Sequence, residues 1–549
     1  MKKIMSLAIT VAMATACQAQ SLTAVTQGSS HGWQLKDEQA DGYFGISLDK
    51  AYAFVHAKHR KPKTIVVAVI DSGVDTTHED LKSVLWHNPG EIPGNGIDDD
   101  HNGYVDDVYG WNFLGGRDGR NVFHDSFEAD RVYYQYKDQF ATITDSSALS
   151  ANDQYLFTMW KRAEKTMMTA VDTLQLAGLE KAYARAVVSD SILRLAMSRD
   201  TYTGSDLQSY TPETDTARAS KNYFLRLMQI NHALESGNQA FLGGFEKYLQ
   251  GQEKKEETMK YPPEGYRGEI VKDNYNDIND RYYGNNDVMG GDHFHGTHVS
   301  GIIAAVRNNG IGMDGVADHV KIMMIRAVPD GDEHDKDIAE AIRYAADNGA
   351  EIINMSFGKP FSPQKEWVDS AVRYAESKGI LFVQAAGNSH EDIDTAWNFP
   401  TPFFKSDHTR APDWITVGAS GDTAFGGLVA TFSNYGKENV DVFAPGVKIY
   451  STLPDKNTYG DLQGTSMASP VVAGLAAFIL SYYPKLSAEQ LKFVIEKSAV
   501  APGVDVIEPG TKAKTTLATL CRSGGIVNAY TAIQLASTLK GKRKNKIRS

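Results

Sequence analysis

Cysteine is nearly absent. The 549 residues hold two, Cys17 and Cys521, and Cys17 stands at the end of an N-terminal segment where processing would remove or lipidate it, so no intrachain disulfide is expected to staple the chain. Stability must come from packing and from any bound metal. Positive charge is also short, with 56 Lys and Arg against 68 Asp and Glu and a formal net charge of −12, which argues against a nucleic-acid binder. Long hydrophobic runs are missing too: residues 4–14 and 471–480 both fall below the roughly 20 residues that a membrane-spanning helix needs. There is no internal repeat and no low-complexity linker. What remains is the composition of an ordinary globular protein, long enough for several domains or for one large α/β domain with an insertion.

The N-terminus carries Lys2-Lys3, then the apolar run, then Ala14-Thr15-Ala16-Cys17, the pattern of an export signal. Cleavage before Cys17 would leave a lipidated cysteine and a membrane attachment; cleavage after Ala19 would release a free protein. The expected location is the periplasm, the outer membrane surface or the exterior. The expected organisation is a signal peptide (1–19), a linker (20–41), the first part of a catalytic domain (42–118), a helical insertion (119–280), its second part (281–539) and a basic tail (540–549). The linker is too short for an independently folded propeptide.

Along the chain, residues 64–70 form a continuous β-branched run, as expected of a parallel strand buried on both faces, ending in Asp71-Ser72-Gly73. Strand and helix patterns then alternate from 320 to 388, with further strands at 414–418 and 440–444. Such alternation predicts a doubly wound, mostly parallel α/β sheet flanked by helices. Between 120 and 282 the periodicity is helical only. Leu156, Met159, Trp160, Ala163, Met167, Ala170, Val171 and Leu174 mark one face, and Phe224, Leu227, Met228 and Ile230 another, predicting an all-α insertion packed on its own small core and on the main domain.

Three places carry chemistry. Gly464-Thr465-Ser466-Met467-Ala468-Ser469-Pro470 runs into the apolar stretch 471–480, placing a serine at a helix mouth, where unpaired N–H groups favour developing negative charge. His293-Phe294-His295-Gly296-Thr297-His298 suits either a metal cluster or a single base at a helix start, with Gly296, Ser300 and Gly301 allowing close approach to a sheet. Oxygen ligands alternate in Asp98-Asp99-Asp100-His101-Asn102-Gly103-Tyr104-Val105-Asp106, giving a candidate calcium loop of Asp98, Asp100, Asn102, Tyr104 and Asp106; Tyr109 stands where a helix-flanked loop would end in Glu. The acidic run 330–335 reads as a solvated loop.

Asp71, His295 and Ser466 follow the order Asp, His, Ser. Val69-Ile70-Asp71-Ser72-Gly73-Val74, His295-Gly296-Thr297-His298-Val299-Ser300-Gly301 and the Ser466 segment together resemble the three signature motifs of the subtilisin-like serine peptidases. The resemblance covers roughly 42–118 and 281–535. It implies a triad of Asp71, His295 and Ser466, an oxyanion donor at Asn388 within Ala385-Ala386-Gly387-Asn388, and a structural His298. It further implies substrate contacts at Ser356, Phe357, Gly358, Ala386 and Gly387, with 356–358 as one wall of the primary pocket, and a cis peptide at Phe399-Pro400. The expected activity is acyl-enzyme hydrolysis of protein or peptide substrates, with structural calcium and no organic cofactor. The alternative is a catalytically silent scaffold of the same fold that binds peptides or partner proteins. The insertion is expected to limit access to the cleft.

Overall fold

The computed structural model describes residues 31–168, 173–231, 233–234 and 237–543. The export signal, Cys17, residues 544–549 of the basic tail, Ala170 and Val171 therefore lie outside the described residues. Two compact units emerge, Lys165–Pro262 and a larger one built from Ser29–Glu164 with Pro263–Ser549. The helical unit is thus narrower than the expected insertion of 119–280.

In the larger unit seven parallel strands form one sheet in the order β2-β3-β1-β4-β5-β6-β7. These are β1 (Ile65–Asp71), β2 (Gly110–Asn112), β3 (Val320–Arg326), β4 (Ile352–Met355), β5 (Leu381–Ala385), β6 (Trp414–Ser420) and β7 (Val442–Pro445). Strand β2 has no sequence signature, because three residues show no period. Alternation of side chains splits the strands between two cores. Val67, Val69, Met324, Ile352 and Val383 point into one, with helices Leu48–Ala57, Phe294–Ala304 and Thr465–Tyr482. Ala68, Ile70, Met323, Ile353 and Phe382 point into the other, with helices Asp335–Asp347 and Lys365–Ser377. A sheet covered on both faces explains why these strands read as unbroken apolar runs. The chain leaves β1 for β2 on one side, returns to β3, and then passes over β1 to β4 on the other, so the strand order reverses beside β1 and its C-terminal end lies at the switch point where open α/β sheets bind ligands.

Helix Thr465–Tyr482 is long and hydrophobic enough to pass for a membrane span, but 94% of that window is buried in the core. Helix Phe294–Ala304 lies beside it. Gly296 makes the close approach possible, since a Cβ there would stand 2.1 Å from Gly73 O, and one at Gly301 would stand 2.2 Å from Thr452 Oγ1. Thr452 belongs to a hairpin of β8 (Ile449–Leu453) and β9 (Thr458–Leu462), which leads the chain into Gly464.

Two expected boundaries shift. Trp33 and Leu35, assigned to a linker, are buried in the main core, and the Trp33 indole donates to Val447 O at 3.0 Å. Leu156, Met159, Trp160 and Ala163 pack with Val132 and Phe140 and with Phe361 and Phe399, so this helix belongs to the larger unit, which ends its first segment at Glu164. The helical unit has cores of its own. Ala186, Leu193, Tyr202, Phe224, Met228 and Phe241 form one, and Leu176, Leu179, Phe245 and Leu249 another. Its buried Asp190 accepts from Tyr202 OH and Asn238 Nδ2, both at 2.7 Å.

Candidate active site

Asp71 closes β1 at the switch point and is 1% exposed. Its Oδ1 accepts from Ser72 N at 2.8 Å and pairs with His295 Nδ1 at 2.7 Å. A carboxylate acts only as acceptor, so Nδ1 carries the proton and the lone pair of the neutral ring falls on Nε2. Burial alone would depress the His295 pKa. The charge of Asp71, its hydrogen bond and the nearby charge of Asp292 outweigh burial, and the value is raised above 6.5. The ring remains reachable, with 21% of its side chain exposed.

His298 behaves differently. Its Nε2 donates to Gly460 O at 3.1 Å, and burial drives its pKa down to about 3, so it stays neutral and ties the helix to β9. Because His295 and His298 turn to different partners, the metal-cluster alternative for the histidines is not what the structure builds.

Ser466 is the half-buried second residue of helix Thr465–Tyr482, between buried Thr465 and Met467. Pro470 sits one turn on and has no N–H, so the Ser466 carbonyl lacks its usual helical donor. It accepts instead from Ser356 Oγ at 2.9 Å, while Ser466 Oγ donates to Ser356 O at 3.0 Å. Asn354 extends this network, giving a hydrogen bond to Ser356 Oγ at 3.0 Å and accepting one from Ser469 Oγ at 2.8 Å. The end of β4 is thereby pinned to the start of the serine helix.

Asn388 follows β5. Its Oδ1 accepts from Thr465 N at 2.7 Å and from Thr465 Oγ1 at 2.9 Å, which turns the amide nitrogen away from Thr465. Gly387 N donates to Thr465 Oγ1 at 3.0 Å, and Ala386 O accepts from Asn434 Nδ2 at 3.0 Å. Thr465 lies within the serine motif and Asn354 at the head of the 354–358 strand, but their contacts, like those of Asn434, show only in three dimensions. Phe399-Pro400 is cis.

A family model described as the subtilase family matches residues 62–524. The chain belongs to the subtilase family. Its enzyme class is accordingly serine endopeptidase. It is 44% identical over 188 residues to a thermophilic serine proteinase of Bacillus sp. (strain AK1), covering 34% of this chain and 42% of that one. Subtilisin DY of Bacillus licheniformis is 40% identical over 211 residues, 38% of this chain and 71% of the relative. Thermitase of Thermoactinomyces vulgaris is 38% identical over 206 residues, 37% and 67% respectively.

The subtilase departs from expectation at two acidic segments. In the candidate calcium loop, Asp98 accepts from Asn102 N and Gly103 N, and Asp106 from Gly94 N, Asn95 N and Gly96 N. Their oxygens brace backbone turns, as Glu91 also does by accepting from Asp99 N and Asp106 N, so what separates the two sets is convergence. Asn102 Oδ1 accepts from Tyr104 N. The carboxylates that converge, with oxygens within 4.8 Å of one another, are Glu91, Asp100 and Asp107. Of the five expected ligands only Asp100 is in that group. Glu91 and Asp107 lie outside the alternating pattern that pointed to the loop.

The run 330–335 is not a solvated loop. Glu333, His334 and Asp335 are buried and Asp332 is half-buried, accepting from Glu128 N at the start of helix Glu128–Phe140. Lys359, next to Gly358 on the proposed pocket wall, reaches Glu128 and Asp335, both at 2.9 Å, and donates to Glu333 O at 2.6 Å. Arg131 pairs with Glu128, and His334 Nε2 meets Asp125 Oδ2 at 2.9 Å. A hydrophilic sequence is buried here because cations from distant segments meet it.

Proposed function

We propose that this subtilase is an exported endopeptidase in which Ser466 is the nucleophile, His295 the general base and Asp71 the group that orients and stabilises the imidazolium. The observation that carries this reading is the 2.7 Å pairing of a buried carboxylate with His295 Nδ1, which leaves Nε2 as the basic nitrogen. The Ser466 hydroxyl turns from Ser356 O toward Nε2 and attacks the scissile carbonyl; His295 takes its proton and returns it to the leaving amine. The Asn388 amide and the Ser466 N–H hold the oxyanion. Water then hydrolyses the acyl-enzyme by the same base. Substrate runs extended along 356–358 and past 386–387, an arrangement that reads main chain and suits protein or peptide substrates. Cleavage of a denatured protein by the wild type and not by Ser466→Ala tests the assignment; equal cleavage by both would refute it.

The silent-scaffold reading draws on one observation, that Ser466 Oγ donates to Ser356 O. A serine hydroxyl is a free rotor and catalytic contacts commonly tighten only with substrate bound, so this geometry is compatible with catalysis.

Structural calcium is proposed at Glu91, Asp100 and Asp107. Three hard oxygen donors in mutual reach fit that ion, and the burial of Asp107, aided by the charge of Asp100 and opposed by hydrogen bonds from Tyr344, Asn88 and Asn102, lifts its pKa to about 6. When bound, the ion would relieve that repulsion. Export rests on the Lys2-Lys3 and apolar pattern of residues 4–14, with attachment through lipidated Cys17 as the anchored form.

A further inference from the structure

The loops that follow β3 and β4 leave the carboxyl edge of the sheet on either side of β1, so they form the two banks of the crevice at Asp71. One bank begins at Ala327, whose N–H donates to Asp71 O at 3.0 Å; the other begins at Ser356, bonded to Ser466. Both start out open: Gly331 and Asp332 are half-buried and Gly358 is exposed. One residue further on, Glu333 and Lys359 are buried, at 2% and 3% exposure. A side chain closes the gap. On the first bank Asp330 N donates to Phe123 O and Asp330 O accepts from Asp125 N, both at 2.9 Å, and Asp332 N turns the same way, to Ser126 O. Alternation along an extended segment therefore aims the main-chain groups of Gly331 and Glu333 toward the opposite bank. Lys359 meets them from that bank. Its Nζ donates to Glu333 O at 2.6 Å and lies 2.9 Å from both Glu128 and Asp335, while Arg131, paired with Glu128, donates to the same carbonyl at 3.0 Å. The Lys359 backbone is fixed, because it exchanges two main-chain hydrogen bonds with Phe399, at 2.9 and 2.8 Å.

We infer that Lys359 is a specificity-determining strut that spans the crevice and ends it on the side of the residues preceding the scissile bond, leaving sites there for about three of them. The inference rests on the peptidase reading above, in which substrate runs along 356–358. Wall and substrate are both extended and rise about 3.3 Å per residue, so Ser356 to Gly358 face about three substrate residues before Lys359 crosses. A fourth residue could pass only by parting the ammonium from Glu333 O and leaving Asp335 buried without its cation, a loss larger than the net gain of one peptide hydrogen bond. Longer chains must therefore turn out of the crevice. The enzyme is built to cut near the N-terminus of a chain, or where a flexible segment bends away within about three residues of the bond.

The test follows kcat/KM on peptides that share the residues after the scissile bond and lengthen one residue at a time before it, with active sites titrated by a fluorophosphonate. In the wild type kcat/KM should rise up to the third residue, and adding the fourth should gain less than about threefold, the worth of one net hydrogen bond. Lys359→Ala shortens the strut and should raise the gain from the fourth residue at least about threefold over wild type, whereas Lys359→Met, whose side chain fills the same space, should leave it unchanged. Because each gain is a ratio internal to one preparation, partial misfolding cancels, and a lysine with only a structural role would affect both peptides alike. A wild type that gains more than about threefold from the fourth residue, or a Lys359→Ala gain equal to that of the wild type, overturns the inference while leaving the peptidase reading standing. Should neither variant fold well enough to take label, the wild-type series decides alone. A wild type whose Ser466 takes no label overturns both.

Discussion

At the scale of single residues, the account turns on which nitrogen of His295 is committed. Asp71 raises the His295 pKa above 6.5 against the opposing effect of burial, and the base works only when neutral. Activity should therefore climb with pH through a midpoint above 6.5 and fall below it. Asp71→Asn removes the main raising influence, so the acidic limb should move to lower pH while kcat falls by about 10⁴. Stopped assays from pH 5 to 9 check both; an unmoved limb would contradict the pairing. Asn388→Ala should cost about 10²–10³ in kcat with little change in KM. These residues were legible because each motif sits where a strand or helix ends. Asn434 was not, because nothing around it in sequence marks a residue that works by donating to Ala386 O.

At the scale of elements, the helix bearing His295 can lie on β1 only because residue 296 has no side chain. Gly296→Ala would drive a Cβ into Gly73 O, and the helix must shift. The expected result is a lower melting temperature together with an acidic limb displaced downward, as His295 loosens from Asp71. A second element-level prediction concerns the charged hub beneath the pocket wall. Burial raises the Glu333 pKa to about 8, opposed by Lys359 and reinforced by Asp332 and Asp335. Below about 4.5 the folded and unfolded chains both hold this proton; from there to about 8 only the folded chain does, so stability falls as pH rises. Glu333→Gln should flatten that decline and melt higher than wild type at pH 9, with no gain at pH 4; equal slopes would refute it. Lys359→Met leaves Asp335 buried without its cation and Glu128 with Arg131 alone, and should cost about 3–5 kcal/mol in denaturant titration. The long β-branched strands and the apolar helix were visible from period alone. The burial of 330–335 was not, since hydrophilic composition conceals that Lys359 and Arg131 arrive from elsewhere in the chain.

At the scale of the whole molecule, a parallel sheet with two cores and a helical unit with its own cores should unfold separately. Calorimetry is expected to show two transitions, and replacing Lys165–Pro262 by a flexible linker should remove one of them. A chelator should lower the transition of the larger unit in the wild type and have no further effect on Glu91→Gln with Asp107→Asn; an unchanged wild-type melt would dismiss the calcium proposal. The alternation of strand and helix made the sheet legible, whereas the division near residue 165 was not, because the helical period runs unbroken from the part that packs on Phe361 and Phe399 into the part that packs on itself. The central claim is that the fold delivers an activated serine at one helix mouth. Its most direct test is mass spectrometry of the protein after reaction with a fluorophosphonate at pH 8. The account predicts one adduct, on the peptide containing Ser466, lost in His295→Ala. An adduct elsewhere, or none, would contradict it.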